Sequence, residues 1–363
     1  MAKTKRKTTR KGKKKSSYGM VKKVLTIFVV IVALSGGLLG WNFYQSLFSD
    51  NVTLEGEDSA YLYIPSGSNY NDVVHILENR GLLLDKTSFH WTAELMKYTK
   101  NVKPGRYKLK ENMGNRELIS LLRSGNQDPV MLTFNNIRTK EEFSGYVASH
   151  LEFDSLSLIS LLNDVDFLRA FGLNPRIAYT MFIPNTYELY WNLSAEDFFR
   201  RMHKEYKAFW THERKLKAKK HNLSPVSATI LASIVDQETA RDSEMPTIAG
   251  VYMNRLKRGQ RLQADPTVVF AVGDFTINRV LNKHIAYDSP YNTYRYRGLP
   301  PGPITMPSIK AIDAVLNRED HNYLYFCAKA DFSGYHAFAE TFVQHQRNAV
   351  KFRNALNKRK IMK

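Results

Sequence analysis

One acid in this sequence, Glu238, sits where proton-transfer chemistry has a physical basis. Ser224-Pro225 reads as an N-cap followed by proline at the first helical position, so a helix starts there. Leu231, Ile234 and Val235 then recur at helical spacing as an apolar stripe. At about 100° per residue, Glu238 falls between Leu231 and Ile234, inside the stripe, whereas Asp236 and Gln237 point well away from it. Burial disfavours the charged form of a carboxylate and raises its pKa, the state a general acid requires. A plainer arrangement fits the same spacing: an acid near a helix end caps its face or pairs with a neighbour such as Arg241.

Residues 244–257 read as a second helix, with Ile248, Val251, Tyr252 and Leu256 on one face and basic residues before Gly259. Residues 261–267 read as a polar loop whose Gln263 and Asp265 can hydrogen-bond a ligand. Asp265, before Pro266, is equally a turn-forming aspartate. Farther on, Tyr291-Asn292-Thr293-Tyr294 and Gly298-Leu299-Pro300-Pro301-Gly302-Pro303-Ile304 carry aromatic and amide groups that suit sugar rings and N-acetyl groups. Arg255 either holds an acid of such a site or terminates its helix.

The elements around these residues predict an α+β protein of two or three domains. Residues 1–23 hold eleven Lys and Arg and no acid, so most of the formal +19 belongs to a basic tail and argues against a nucleic-acid partner. Residues 24–49 are uncharged, and the strongly apolar part, 24–41, is near the length of a membrane span, about 20 residues. A transmembrane helix over 24–48 is expected, with the N-terminus cytoplasmic and everything after Asp50 outside. The rival is a cleaved signal peptide, with Ala33-Leu34-Ser35 as its cleavage site.

Residues 50–57 read as a polar linker. A strand at 61–65, helices at 71–80 and 86–98, an extended segment at 105–109 and a helix at 115–123 then make a small α+β domain over 50–128. In 129–363, a strand at 130–134 leads to a capping box at Thr139-Lys140-Glu141-Glu142, with helical segments at 156–163 and 166–171. Residues 195–221 read as one basic, aromatic helical stretch. A helix at 307–316, a buried strand at 323–326 paired with 336–338, and an amphipathic helix at 342–358 follow. Cys327, the only cysteine, excludes an internal disulfide and a Cys-rich metal site, and reads as a buried apolar residue. His336 either lines a cleft or is structural. With no His-x-x-x-His pair and no phosphate-binding Gly-rich loop, neither a metal nor a cofactor is expected.

Ser233-Ile234-Val235-Asp236-Gln237-Glu238-Thr239-Ala240, Asn254-Arg255-Leu256 and Leu262-Gln263-Ala264-Asp265-Pro266-Thr267-Val268 resemble the signature of the endolytic murein transglycosylases, the MltG/YceG-like family. Tyr291-Asn292-Thr293-Tyr294, Gly298-Leu299-Pro300-Pro301-Gly302 and Tyr323-Leu324-Tyr325-Phe326 continue the resemblance in the same order. It implies a single-span membrane enzyme, with a LysM-like domain over 50–128 and a mixed α+β catalytic domain over 129–363. LysM modules bind glycans containing N-acetylglucosamine; here the unit either does so or only spaces and orients the catalytic domain. The family's essential carboxylate, the Glu before Thr, corresponds to Glu238. Gln263, Asp265, Tyr291, Asn292 and Tyr294 are then the expected cleft residues. One departure is Phe182-Ile183-Pro184-Asn185-Thr186-Tyr187, where Asn185 replaces the family's aspartate. Charge-dependent work there would be lost, and a loop hydrogen bond would survive.

The partners implied are peptidoglycan glycan strands, peptidoglycan synthases and the inner (cytoplasmic) membrane, with the catalytic part on its outer, periplasmic side. Cleaving a glycosidic bond needs a proton for the leaving oxygen and usually a second group at the oxocarbenium-like centre. Lytic transglycosylases manage with one acid, because N-acetylmuramic acid offers its own 6-hydroxyl and leaves a 1,6-anhydro end. Two other readings compete: a non-catalytic peptidoglycan-binding membrane protein, and a hydrolytic muramidase drawing a second carboxylate from Asp242, Glu244 or Asp265.

Overall fold

The computed structural model describes residues 17–359; the first sixteen residues of the basic tail lie outside the described residues. The chain divides into two compact units, one through Asp128 and one from Pro129.

The first unit opens with helix α1 (Ser17–Phe48), 32 residues long, or roughly 48 Å at 1.5 Å per residue. Its part Gly19–Phe48 is long and apolar enough to cross a membrane, and its apolar side chains are exposed. The last turn of α1 is pinned: the Ser46 carbonyl accepts from Thr92 Oγ1 at 3.0 Å and from Asn115 Nδ2 at 2.9 Å. Phe43 meets Trp91 edge-on at 5.1 Å. Next come β1 (Ser59–Ile64), α2 (Tyr70–Asn79), α3 (Lys86–Leu95), β2 (Gly105–Lys110) and α4 (Asn115–Ser124). Strands β1 and β2 pair antiparallel, from Ser59↔Lys110 to Ile64↔Gly105. Alternate residues of both strands, Leu62 and Ile64 facing Tyr107 and Leu109, enter one core.

Two expectations for this unit need correction. The segment read as a polar linker belongs to the core: Val52 is 0% exposed, and the Asn51 amide binds both the N–H and the C=O of Asp85, at 2.6 and 2.9 Å. Its few apolar residues alternate with polar ones in an extended segment, which composition reads as solvent-exposed. The helix expected to reach residue 98 stops at Leu95, because Lys97 turns to a φ of 57° and a short 3-10 turn, Tyr98–Lys100, follows.

The second unit has two cores. The first is built by β3 (Val130–Phe134), α5 (Lys140–Ala148), α6 (Ser155–Leu161), α7 (Val165–Arg169), β4 (Asn185–Leu189) and α8 (Ala195–Phe209). Strands β3 and β4 pair antiparallel, and Val130, Leu132 and Phe134 face inward with Tyr187 and Leu189. The stretch expected as one helix over 195–221 is two. Trp210 leaves the helix to bury its ring, and Thr211 caps α9 (His212–Lys220) by accepting from the Arg214 N–H.

The second core surrounds α10 (Pro225–Glu238), followed by α11 (Met245–Lys257), α12 (Asp265–Val272), α13 (Asn282–Ile285), α14 (Ile309–Leu316), β5 (Tyr325–Ala328), β6 (His336–Ala339) and α15 (Phe342–Lys358). Helix α10 packs against α9, α11, α12 and α14, and every residue from Ala228 to Val235 is buried. The apolar stripe is thus one side of a helix enclosed all round. Asp236, expected to point away, is half-buried and accepts from Ser308 Oγ at 2.6 Å, the residue that caps α14. The expected polar loop also changes character at its end: Asp265-Pro266 opens α12, proline supplying a helical φ where its missing N–H costs nothing. Cys327 is half-buried in β5, less enclosed than expected. The described architecture is mixed, with three antiparallel two-stranded sheets among the helices.

Candidate active site

Glu238 ends α10, where Thr239 turns extended (φ −148°). The end of a buried helix therefore delivers a carboxyl group onto a cavity of about 390 Å³ in the second unit. Its walls include Gln237, Asp265, Phe270, Phe275, Asn278 and Arg138. Glu238 Oε1 accepts from the Tyr252 hydroxyl at 2.5 Å, and Tyr252, on α11, is 1% exposed.

Burial lifts the Glu238 pKa from 4.5 to about 7. The Tyr252 hydrogen bond favours the carboxylate and opposes this, the Asp265 charge adds to the rise, and the Arg255 charge opposes it. The position at a helix C-terminus, the negative end of the macrodipole, also disfavours a carboxylate. The pairing with Arg241 does not form. That guanidinium donates to the Ser333 carbonyl at 2.9 Å and lies 5.2 Å over the Tyr335 ring. Glu238 thus holds a proton close to neutral pH and has a hydroxyl to steady the carboxylate once the proton leaves.

Asp265 reaches the same cavity from the first turn of α12, and its Oδ1 accepts from the Tyr294 hydroxyl at 2.5 Å. Burial pushes the Tyr294 phenol well above its usual range, helped by Asp265 and Glu238. Arg255 neither binds an acid nor ends its helix. It is buried, and donates from Nε to the Leu324 carbonyl at 2.7 Å and from Nη1 to the Leu262 carbonyl at 2.5 Å. It ties α11 to the segments before β5 and before α12.

Tyr294 touches the wall only through Asp265, and the remaining expected cleft residues also lie outside the cavity walls. Gln263 is exposed, with a φ of 52°, and its N–H donates to the Thr293 carbonyl at 3.2 Å. Tyr291 packs on Phe270 at 4.8 Å. Asn292 is 0% exposed; its Nδ2 donates to the carbonyls of Ile285 and Tyr287, and its Oδ1 accepts from the Tyr294 N–H at 3.0 Å. These contacts shape the loop that carries Tyr294.

Among the acids considered as a second carboxylate, Asp242 pairs with Lys310 at 2.5 Å. Glu244 is buried and accepts from the His336 N–H at 2.8 Å and from His336 Nδ1 at 2.9 Å. His336 is therefore tied to Glu244. Asn185 is exposed at the start of β4, where its Oδ1 accepts from the Thr186 N–H at 2.8 Å, and it is not in the cavity wall.

Tyr252, Gln237 and Arg138 were not read from sequence as site residues. Tyr252 carried a usable signal, since a buried phenol seeks a hydrogen-bond partner. Arg138 carried none: the loop after β3 comes to the cavity only through tertiary packing, and its guanidinium lies 4.9 Å over Phe275.

Comparison with known proteins agrees across most of the chain. The model of the YceG-like family matches residues 62–351. An endolytic murein transglycosylase of Bacillus subtilis is 26% identical, with 87% of this chain and 91% of that protein covered. One from Streptococcus pneumoniae is 28% identical over 92% of this chain, which spans 66% of that longer protein. The crystal structure of a yceG-like protein from Listeria monocytogenes superposes with a TM-score of 0.52 at 25% identity, covering 80% of this chain and 98% of that one. The matched span takes in the whole of the cavity wall, and the chain belongs to the YceG-like family.

Proposed function

We propose that this chain is a membrane-anchored lytic transglycosylase that cuts peptidoglycan glycan strands internally. Glu238 protonates the bridging oxygen of a MurNAc–GlcNAc β-1,4 bond, and the bond from the MurNAc C1 to that oxygen breaks. The C6 hydroxyl oxygen of the same MurNAc then bonds to C1, and its proton returns to Glu238. The products are a free GlcNAc hydroxyl and a 1,6-anhydroMurNAc end, with no water consumed. The observation that carries this reading is a cavity-facing carboxyl raised to about 7 and hydrogen-bonded by a buried tyrosine. A positioned acid–base group of this kind contributes about 10²–10⁴-fold. The names of the Bacillus and Streptococcus relatives support the same reaction class.

Asp265, in the wall of the same cavity, favours the muramidase as a second reading, because that reaction needs a second acid to activate a water. Helix α1 serves as the anchor in this proposal, and the basic residues ahead of it favour a cytoplasmic N-terminus with the catalytic unit on the periplasmic side. The compact helix-and-strand unit ending at Asp128 supports the LysM-like reading, and synthases remain partners implied by the family.

The test incubates the full chain, in detergent, with uncrosslinked glycan strands and reads the products by mass spectrometry beside Glu238→Gln. Internal fragments ending in 1,6-anhydroMurNAc, absent from the variant, are expected. Reducing ends carrying added water would replace the proposal with the muramidase. Strand binding without cleavage would leave a binding protein.

A further inference from the structure

We infer that Arg138 is a subsite residue that binds a carboxylate on the lactyl-peptide arm of N-acetylmuramic acid, so that the enzyme selects strands still carrying that negative charge. The inference rests on the proposed glycan-strand substrate and deepens it.

Arg138 is half-buried in the wall of the cavity that holds Glu238, and it is the one cation among the described residues of that wall. It makes no ion pair among the described residues, although Glu142 is close enough for its carboxylate to accept from the Arg138 backbone N–H at 3.1 Å. The guanidinium lies over the Phe275 ring at 4.9 Å, a cation–π contact that uses its face and none of its N–H donors. A half-buried guanidinium without an acid partner costs solvation, which a bound anion offsets by charge-assisted, bidentate hydrogen bonds.

The remaining polar groups of the wall, the Gln237 and Asn278 amides, suit a neutral sugar and its N-acetyl group. The pyranose rings of the strand carry no charge. Its carboxylates are those of the lactyl-peptide arm, so a cation in this cavity matches that arm and not the bond being cut.

The test measures strand binding by calorimetry with the full chain carrying Glu238→Gln, so that no turnover intervenes. Native strands are compared with the same strands after their carboxylates are converted to neutral amides. Capping is expected to weaken binding by about 10- to 100-fold. Adding Arg138→Gln should weaken binding of native strands by a similar factor and bring the capped-to-native ratio close to one. Arg138→Lys, which keeps the charge without the fork, should leave an intermediate ratio and guards against a variant that fails to fold. Equal affinity for both strands before Arg138 is changed overturns the inference. So does a ratio unaltered by Arg138→Gln, or an equal loss on both strands, the sign of a stack that merely holds the Phe275 segment. Product analysis of the unsubstituted chain runs in parallel. Cleavage without charge preference removes the inference alone, whereas charge-selective binding without cleavage removes only the proposed reaction.

Discussion

Glu238→Gln should make the protein more stable at alkaline pH and leave it nearly unchanged in acid. Folding raises the Glu238 pKa from 4.5 to about 7. The folded state therefore holds this proton more tightly than the unfolded chain, and wild-type stability falls as pH rises from 4.5 to about 7. Above the folded pKa the whole penalty is present; below the unfolded pKa it is absent. A pKa gap of about 2.5 at 1.36 kcal/mol each corresponds to about 3 kcal/mol, an upper figure for a half-buried group. Glutamine has nearly the same shape, is neutral throughout, and keeps an oxygen to accept from Tyr252. For a unit of this size about 3 kcal/mol corresponds to roughly 6–12 °C in Tm. Thermal denaturation of the full chain in detergent, followed by tryptophan fluorescence at a series of pH values, measures the difference. The other titrating groups are shared and largely cancel. A constant offset across the pH series, or a variant less stable at about pH 8, would refute the account of Glu238 as a carboxyl strained by desolvation.

Two further perturbations test the surroundings of that acid. Removing the Tyr252 hydroxyl takes away a bond that favours the carboxylate, so in Tyr252→Phe the fall of kcat/KM with rising pH should move up by about one pH unit from its wild-type position near 7; an unmoved profile would mean that the bond is incidental. A Cβ on Gly302 would lie 2.2 Å from the Arg176 carbonyl oxygen and 2.8 Å from the Tyr291 hydroxyl, so Gly302→Ala must shift backbone and should cost about 3 kcal/mol, visible as a lower denaturation midpoint.

Much of the fold was legible because its signals are local. Caps at Ser224 and Thr139, the uncharged run around Phe48, and the extended segments that become β1, β2 and β3 depend on neighbours a few residues away, whereas β4 was not read as a strand. The failures have physical causes too. Lys97 adopts a left-handed φ that no composition signals, Trp210 leaves a helix to fill a core, and Asn51 with Val52 looks like linker until Asp85 and Leu83 arrive to pair with them.

The sequence by itself placed Glu238 near the end of a helix, on the same stripe as Leu231, Ile234 and Val235, where burial would make its charge expensive. It also determined that a basic tail precedes an apolar segment long enough to cross a membrane. Tertiary structure alone decided which groups meet that acid. Tyr252 reaches it from α11 and Asp265 from α12, Arg138 joins the cavity wall from the loop after β3, and Asn292 is drawn inward to hold a loop. Helical periodicity specifies a direction around one axis, but a pKa and a binding surface depend on which other elements close over that direction.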